Sequence, residues 1–100
     1  MGIQVILETA KIIVATENRV NFEAALAKAV SDVLSQSPGF VKFEFLTGIE
    51  ESDIYLLHIY WNTLEDHTVG FRESDLFTQW RGLIGPFFAA APEVTHWQVS

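Results

Sequence analysis

Cysteine is absent from this 100-residue chain, which removes disulfides, thiolate metal sites, iron–sulfur clusters and a cysteine nucleophile together. A reducing compartment fits that absence, and the cytoplasm is the expected location. Basic residues are also scarce: six Lys and Arg against thirteen Asp and Glu leave a formal net charge of −7. Lys11, Lys28 and Lys42 lie far apart, and a surface of this sign repels phosphate backbones and anionic headgroups. Neither nucleic acid nor membrane is an expected partner. No apolar run nears the roughly 20 residues that span a bilayer. The opening MGIQVILETAKIIV lacks a basic n-region, a small-residue cleavage site and the hydroxyl residue of a myristoylation signal, so it is expected to be mature structure. The GxSxG, GxxxxGK and GxGxxG loops of nucleophilic and nucleotide sites are missing as well.

What is present is a hydrophobic fraction of 49% with 13% aromatics, outside the composition of disordered chains. The length suits one domain, residues 1–100, with a single core. Val5 to Val14 is rich in β-branched residues and partly alternating, as in a strand covered on both faces. Phe22, Leu26, Ala29 and Val33 recur at steps of three and four, which predicts an amphipathic helix over 19–35, opened by Asn18. Pro38 and Gly39 end it in a turn. Residues 40–48 and 53–61 read as two strands of a hairpin around a solvated acidic loop.

Thr63 with Asp66 forms a short-acid capping box, and Ser74 offers a second cap, so 64–71 and 75–84 read as two helical pieces broken near Arg72. Alternation returns at 93–99. The order is βαββαβ, an α+β, ferredoxin-like arrangement with a four-stranded antiparallel sheet and helices on one face. On the third strand Tyr55, Leu57, Ile59 and Trp61 point one way, and Ile54, Leu56, His58 and Tyr60 the other. Neither side suits water, so a homodimer closed through the helix-free sheet face is expected.

The segments PGFVKFEFLTGIEESDIYLLHIYW, TLEDHTVGFRESDLFTQWRGLIGPFF and PEVTHW resemble the antibiotic biosynthesis monooxygenase family of dimeric α+β barrels over nearly the whole chain. The resemblance rests on Pro38-Gly39-Phe40, Trp61, Thr63 with Glu65, the Phe71/Ser74/Phe77 spacing and the Pro-x-Val-x-His-Trp ending at 92–97. It implies a cofactor-independent monooxygenase that oxidises a small aromatic or polyphenolic substrate with dioxygen, because a deprotonated, electron-rich phenol can itself pass an electron to dioxygen. No flavin, haem or metal is implied. By position Trp61 matches the Trp of the family's pocket, and Asn62 and Arg72 are candidates by proximity. The haem-degrading branch of the family fits poorly. The first strand has no Asn, and Phe71 stands where that branch carries its histidine. The alternative is a non-catalytic dimeric small-molecule-binding or structural protein of the same fold, favoured by the missing first-strand Asn and the lack of a Tyr on the second helix.

His67 shares a helix face with Leu64 and Phe71 and so should look inward, as a proton acceptor for a phenol or as a core histidine bonded to a carbonyl or to Asp66. The catalytic candidates are therefore His67, Trp61 and Arg72, with Asn62, Phe71 and Trp80 as substrate contacts. Arg72 could clamp a phenolate or pair with Asp75 or Glu65. A metal is not expected, since no histidine pair has HxH or HxxxH spacing.

Overall fold

Each inward residue of the first strand alternates with an outward one, and the fold is built on that register. A computed structural model describes residues 5–99, so the reading of the first four residues as mature chain lies outside it. The elements run β1 (Ile6–Ile13), α1 (Arg19–Asp32), β2 (Phe40–Thr47), β3 (Ile54–Trp61), a π-helical turn (Asp66–Phe71), α2 (Asp75–Ile84) and β4 (Glu93–Gln98). The strands form one antiparallel sheet in the order β2-β3-β1-β4, the ferredoxin-like topology that the element order predicts.

One face of the sheet carries Ala10, Ile12, Tyr55, Leu57, Ile59 and Trp61, all buried. Against it α1 lays Phe22, Leu26 and Ala29, and Val33 at its end, while α2 lays Trp80 and Ile84. The i, i+3/i+4 stripe read from the sequence is thus the packed stripe. Burying side chains of this size is worth roughly 1.5–3 kcal/mol each, which is what fixes the helices to this side. α1 is shorter than its periodicity suggests. It ends at Asp32, and Val33 leaves helical geometry for a tighter 3-10 turn over Leu34–Gln36. Asn18 sits at its start without a side-chain capping bond.

The turn into β2 explains its glycine. Gly39 has φ +87, which glycine adopts without steric cost, and a Cβ there would run into the Asp66 carboxylate. Asp66 is held in that place by the capping box: its backbone N–H donates to Thr63 Oγ1 at 3.1 Å, and Thr63 N–H donates to Asp66 Oδ2 at 3.2 Å. Two segments that carry the site, the end of β3 and the π turn, are thereby locked together. Ser74 lies at the start of α2, but its hydroxyl donates back to Phe71 O at 2.7 Å instead of capping the helix.

Candidate active site

Glu8 lies on β1 in line with Ala10, Ile12 and Val14, and like them it is buried, with 6% of its surface exposed. A carboxylate in that row needs partners. Trp61 Nε1–H donates to Glu8 Oε1 at 3.0 Å, and His67 Nε2 lies 3.3 Å from the same oxygen. On its other side His67 Nδ1 lies 2.8 Å from His96 Nε2. Antiparallel register supplies the alignment, since Glu8 faces His96 on β4 while Ile6 faces Trp61 at the end of β3.

The π turn supplies His67. Its indole and phenyl neighbours hold the ring: Trp61 stacks on it with centroids 5.4 Å apart and planes at 17°, and Phe71 packs against both at 5.5 and 6.4 Å. Arg72 N–H donates to His67 O at 3.0 Å, an i→i+5 bond. In an α-helix five steps would carry Arg72 about 140° around the axis from His67. The wider π winding brings both residues to one cavity, in keeping with the frequent appearance of such turns at functional sites.

That cavity, about 320 Å³, lies between the sheet and α2. Its polar lining is Glu8, His67, Arg72 and Arg81; Ile12, Leu57, Ile59, Trp80 and Ile84 are among its apolar walls. The volume and the mix of apolar wall with a few converging polar groups are those of a small-ligand pocket. Two of the chain's six basic residues, Arg72 and Arg81, face it, although the whole molecule is acidic. Local charge therefore favours an anion.

Burial pushes the Glu8 carboxyl up to about 7, opposed by the Trp61 hydrogen bond and by the Arg72 charge. The same burial, helped by Arg72 and by His96, pulls His67 down to about 4. His96 is lowered too, by burial and then by Arg72. Near neutrality His67 is thus uncharged, and its contact with Glu8 is a hydrogen bond, not an ion pair. Glu8, with its affinity poised near 7, is the stronger proton acceptor of the two.

Of the residues expected at the site, His67, Arg72 and Trp80 line the cavity. Trp61 and Phe71 stand directly behind His67 as its support. Asn62 is exposed and outside the lining; its backbone N–H donates to Gly39 O at 2.8 Å, which spends it on the turn. The inward turn of His67 is as the helix face predicts, but its partners are Glu8 and His96 rather than Asp66 or a carbonyl. Sequence reasoning passed over both. The available signal was the period-two register of β1, which aligns Glu8 with Ala10 and Ile12. Among the described residues no group of three or more His, Asp or Glu converges on a point where a metal ion would sit.

Residues 5–83 match the model of the antibiotic biosynthesis monooxygenase family. The chain belongs to that family. A Bacillus subtilis protein of uncharacterised function, YczJ, is 38% identical over 77 residues, covering 77% of this chain and 80% of its own length. The crystal structure of a Bordetella bronchiseptica protein that bears the family's name superposes with a TM-score of 0.90 at 34% identity, over 96% of this chain and 97% of its own. A Streptomyces coelicolor monooxygenase solved with nanaomycin D shares the fold, with a TM-score of 0.81 at 10% identity over 95% of this chain and 87% of its own. The family match ends at residue 83, ahead of β4 and His96.

Proposed function

We propose that this chain is a cytoplasmic homodimer that oxidises a small aromatic, polyphenolic substrate with dioxygen and without a cofactor. The observation that carries the reading is the cavity itself. Apolar walls enclose an acid–base pair, Glu8 and His67, and two guanidinium groups flank it. A phenol bound there loses its proton to the pair, and Arg72 and Arg81 stabilise the resulting anion in surroundings of low dielectric, where such stabilisation is strongest. The electron-rich anion then gives an electron to dioxygen, so the protein has only to bind, deprotonate and shield. For a substrate CH₂ the balance is R₂CH₂ + O₂ → R₂C=O + H₂O. In this reading Trp61 acts through Glu8, Phe71 acts through His67, and Trp80 packs on the ring.

The deciding experiment compares aerobic and anaerobic incubation of the purified protein with an anthrone-like phenol. Oxygen-dependent product well above the buffer rate, lost in Arg72→Gln, is the expected outcome. If no product exceeds the buffer rate, the oxygenase reading fails for that substrate class, and the non-catalytic binding protein of the same fold takes its place.

A further inference from the structure

The hydrogen-bond chain that begins at the cavity does not stop at His67. Glu8 and His67 both line the cavity, and His67 passes the chain on to His96 at 2.8 Å. His96 lies outside the lining, on the edge strand β4, and is only half-buried. Its Nδ1 finds no partner among the described residues, and the partial exposure of the ring makes that nitrogen the chain's end toward solvent. We propose that Glu8, His67 and His96 form one proton-conducting chain from the cavity to solvent beside β4, with Glu8 as the group that meets the ligand's proton.

The donor and acceptor count supports this: with any Glu8 proton on Oε1, the oxygen that meets His67, two fully bonded neutral-ring arrangements exist. With Glu8 protonated, its O–H donates to His67 Nε2, His67 Nδ1–H donates to His96 Nε2, and His96 Nδ1–H faces water. With Glu8 ionised, His67 Nε2–H donates to Glu8 and His96 Nε2–H donates to His67 Nδ1. The first holds one proton more than the second. Converting one to the other moves a proton across each hydrogen bond and releases one from His96 Nδ1 to water, with no ring left charged. Trp61 Nε1–H stays on Glu8 Oε1 in both. The charged groups facing the chain are Arg72, from the π turn, and Arg81, from α2 across the cavity, and Arg72 disfavours a lasting imidazolium on either ring. The chain thus favours passage of a proton over its storage.

The use of this chain in turnover rests on the oxygenase reading; its existence does not. Nitrogen NMR of histidine-labelled protein, titrated alongside the Glu8 carboxyl carbon, reads it without substrate or oxygen. Both rings should switch from the Nδ1–H to the Nε2–H tautomer at the midpoint at which Glu8 ionises, and neither should switch in Glu8→Gln. Rings that keep one tautomer through the Glu8 titration, or that still switch in Glu8→Gln, overturn the proposal. Should Glu8→Gln fail to fold, the wild-type titration decides alone. Where the phenol assay gives product, His96→Ala should slow turnover at least tenfold with KM unchanged, and added imidazole should restore the rate. A wild-type rate in His96→Ala overturns the conduit while leaving the cavity's function standing.

Discussion

Glu8 and His67 answer the same burial with opposite changes in proton affinity, and folding stability inherits both. Glu8 is raised from 4.5 to about 7, so between those values the folded chain holds a proton that the unfolded chain releases, and stability falls as pH rises. His67 is lowered from 6.5 to about 4, so the unfolded chain holds the extra proton, and stability rises across that window. The two slopes oppose each other from about 4.5 to 6.5. In Glu8→Gln only the rising slope is left. Urea midpoints at several pH values should therefore show the variant gaining on wild type from pH 4.5 to 7, by up to about 3 kcal/mol, since one pKa unit is worth roughly 1.4 kcal/mol. Parallel curves for the two proteins would show that Glu8 titrates normally. His67 was legible in the sequence because its helix face is a local pattern. The inward side of Glu8 was open to reading from the period-two register of β1, but its meeting with His96 was not, since that depends on how β1 aligns with β4, 88 residues apart for the Glu8–His96 pair, and no short-range pattern records it.

The turn before β2 and the π turn after β3 are coupled through one contact. Gly39 is confined to positive φ with the Asp66 carboxylate where a side chain would begin, and that carboxylate caps the turn carrying His67. Gly39→Ala should cost about 1–3 kcal/mol, from backbone strain and the displaced acid together. Asp66→Ala alone should cost about 0.5–2 kcal/mol as a lost cap. In the double variant the collision is gone and the cap is already lost, so the combined cost should be smaller than the sum. Strictly additive unfolding energies would mean that the two turns do not act on each other. The capping box was readable from Thr63 and Asp66, as were every strand and the buried stripe of α1. The π winding was not, because an apolar pattern is read against a period of 3.6, and one widened turn leaves Phe71 inward while moving Arg72 to the cavity.

The face of the sheet away from the helices keeps several large side chains open to solvent. Leu46, Leu56 and Trp97 stand 44%, 37% and 58% exposed there, beside half-buried Ile54 and Tyr60. A polar row crosses its middle, Glu44, His58, Thr9 and Thr95 in register, and it is largely satisfied within the sheet. Thr9 and Thr95 share a hydrogen bond of 2.6 Å between their hydroxyls, and Trp97 Nε1–H donates to both at 3.2 and 3.0 Å. Covering this face would therefore orphan few polar atoms while removing several large side chains from water, each worth on the order of 1.5–3 kcal/mol. A second copy related by a two-fold axis offers the same surface and closes the contact without leaving another open. Light scattering at micromolar concentration should report about twice the chain mass of 11.3 kDa. Leu56→Glu, placed mid-face on a strand whose other side forms the core, should shift the protein toward monomer without unfolding it, because the substituted side chain faces away from that core. A wild-type monomer at that concentration would sink the assembly, and a Leu56→Glu dimer as tight as wild type would place the interface elsewhere.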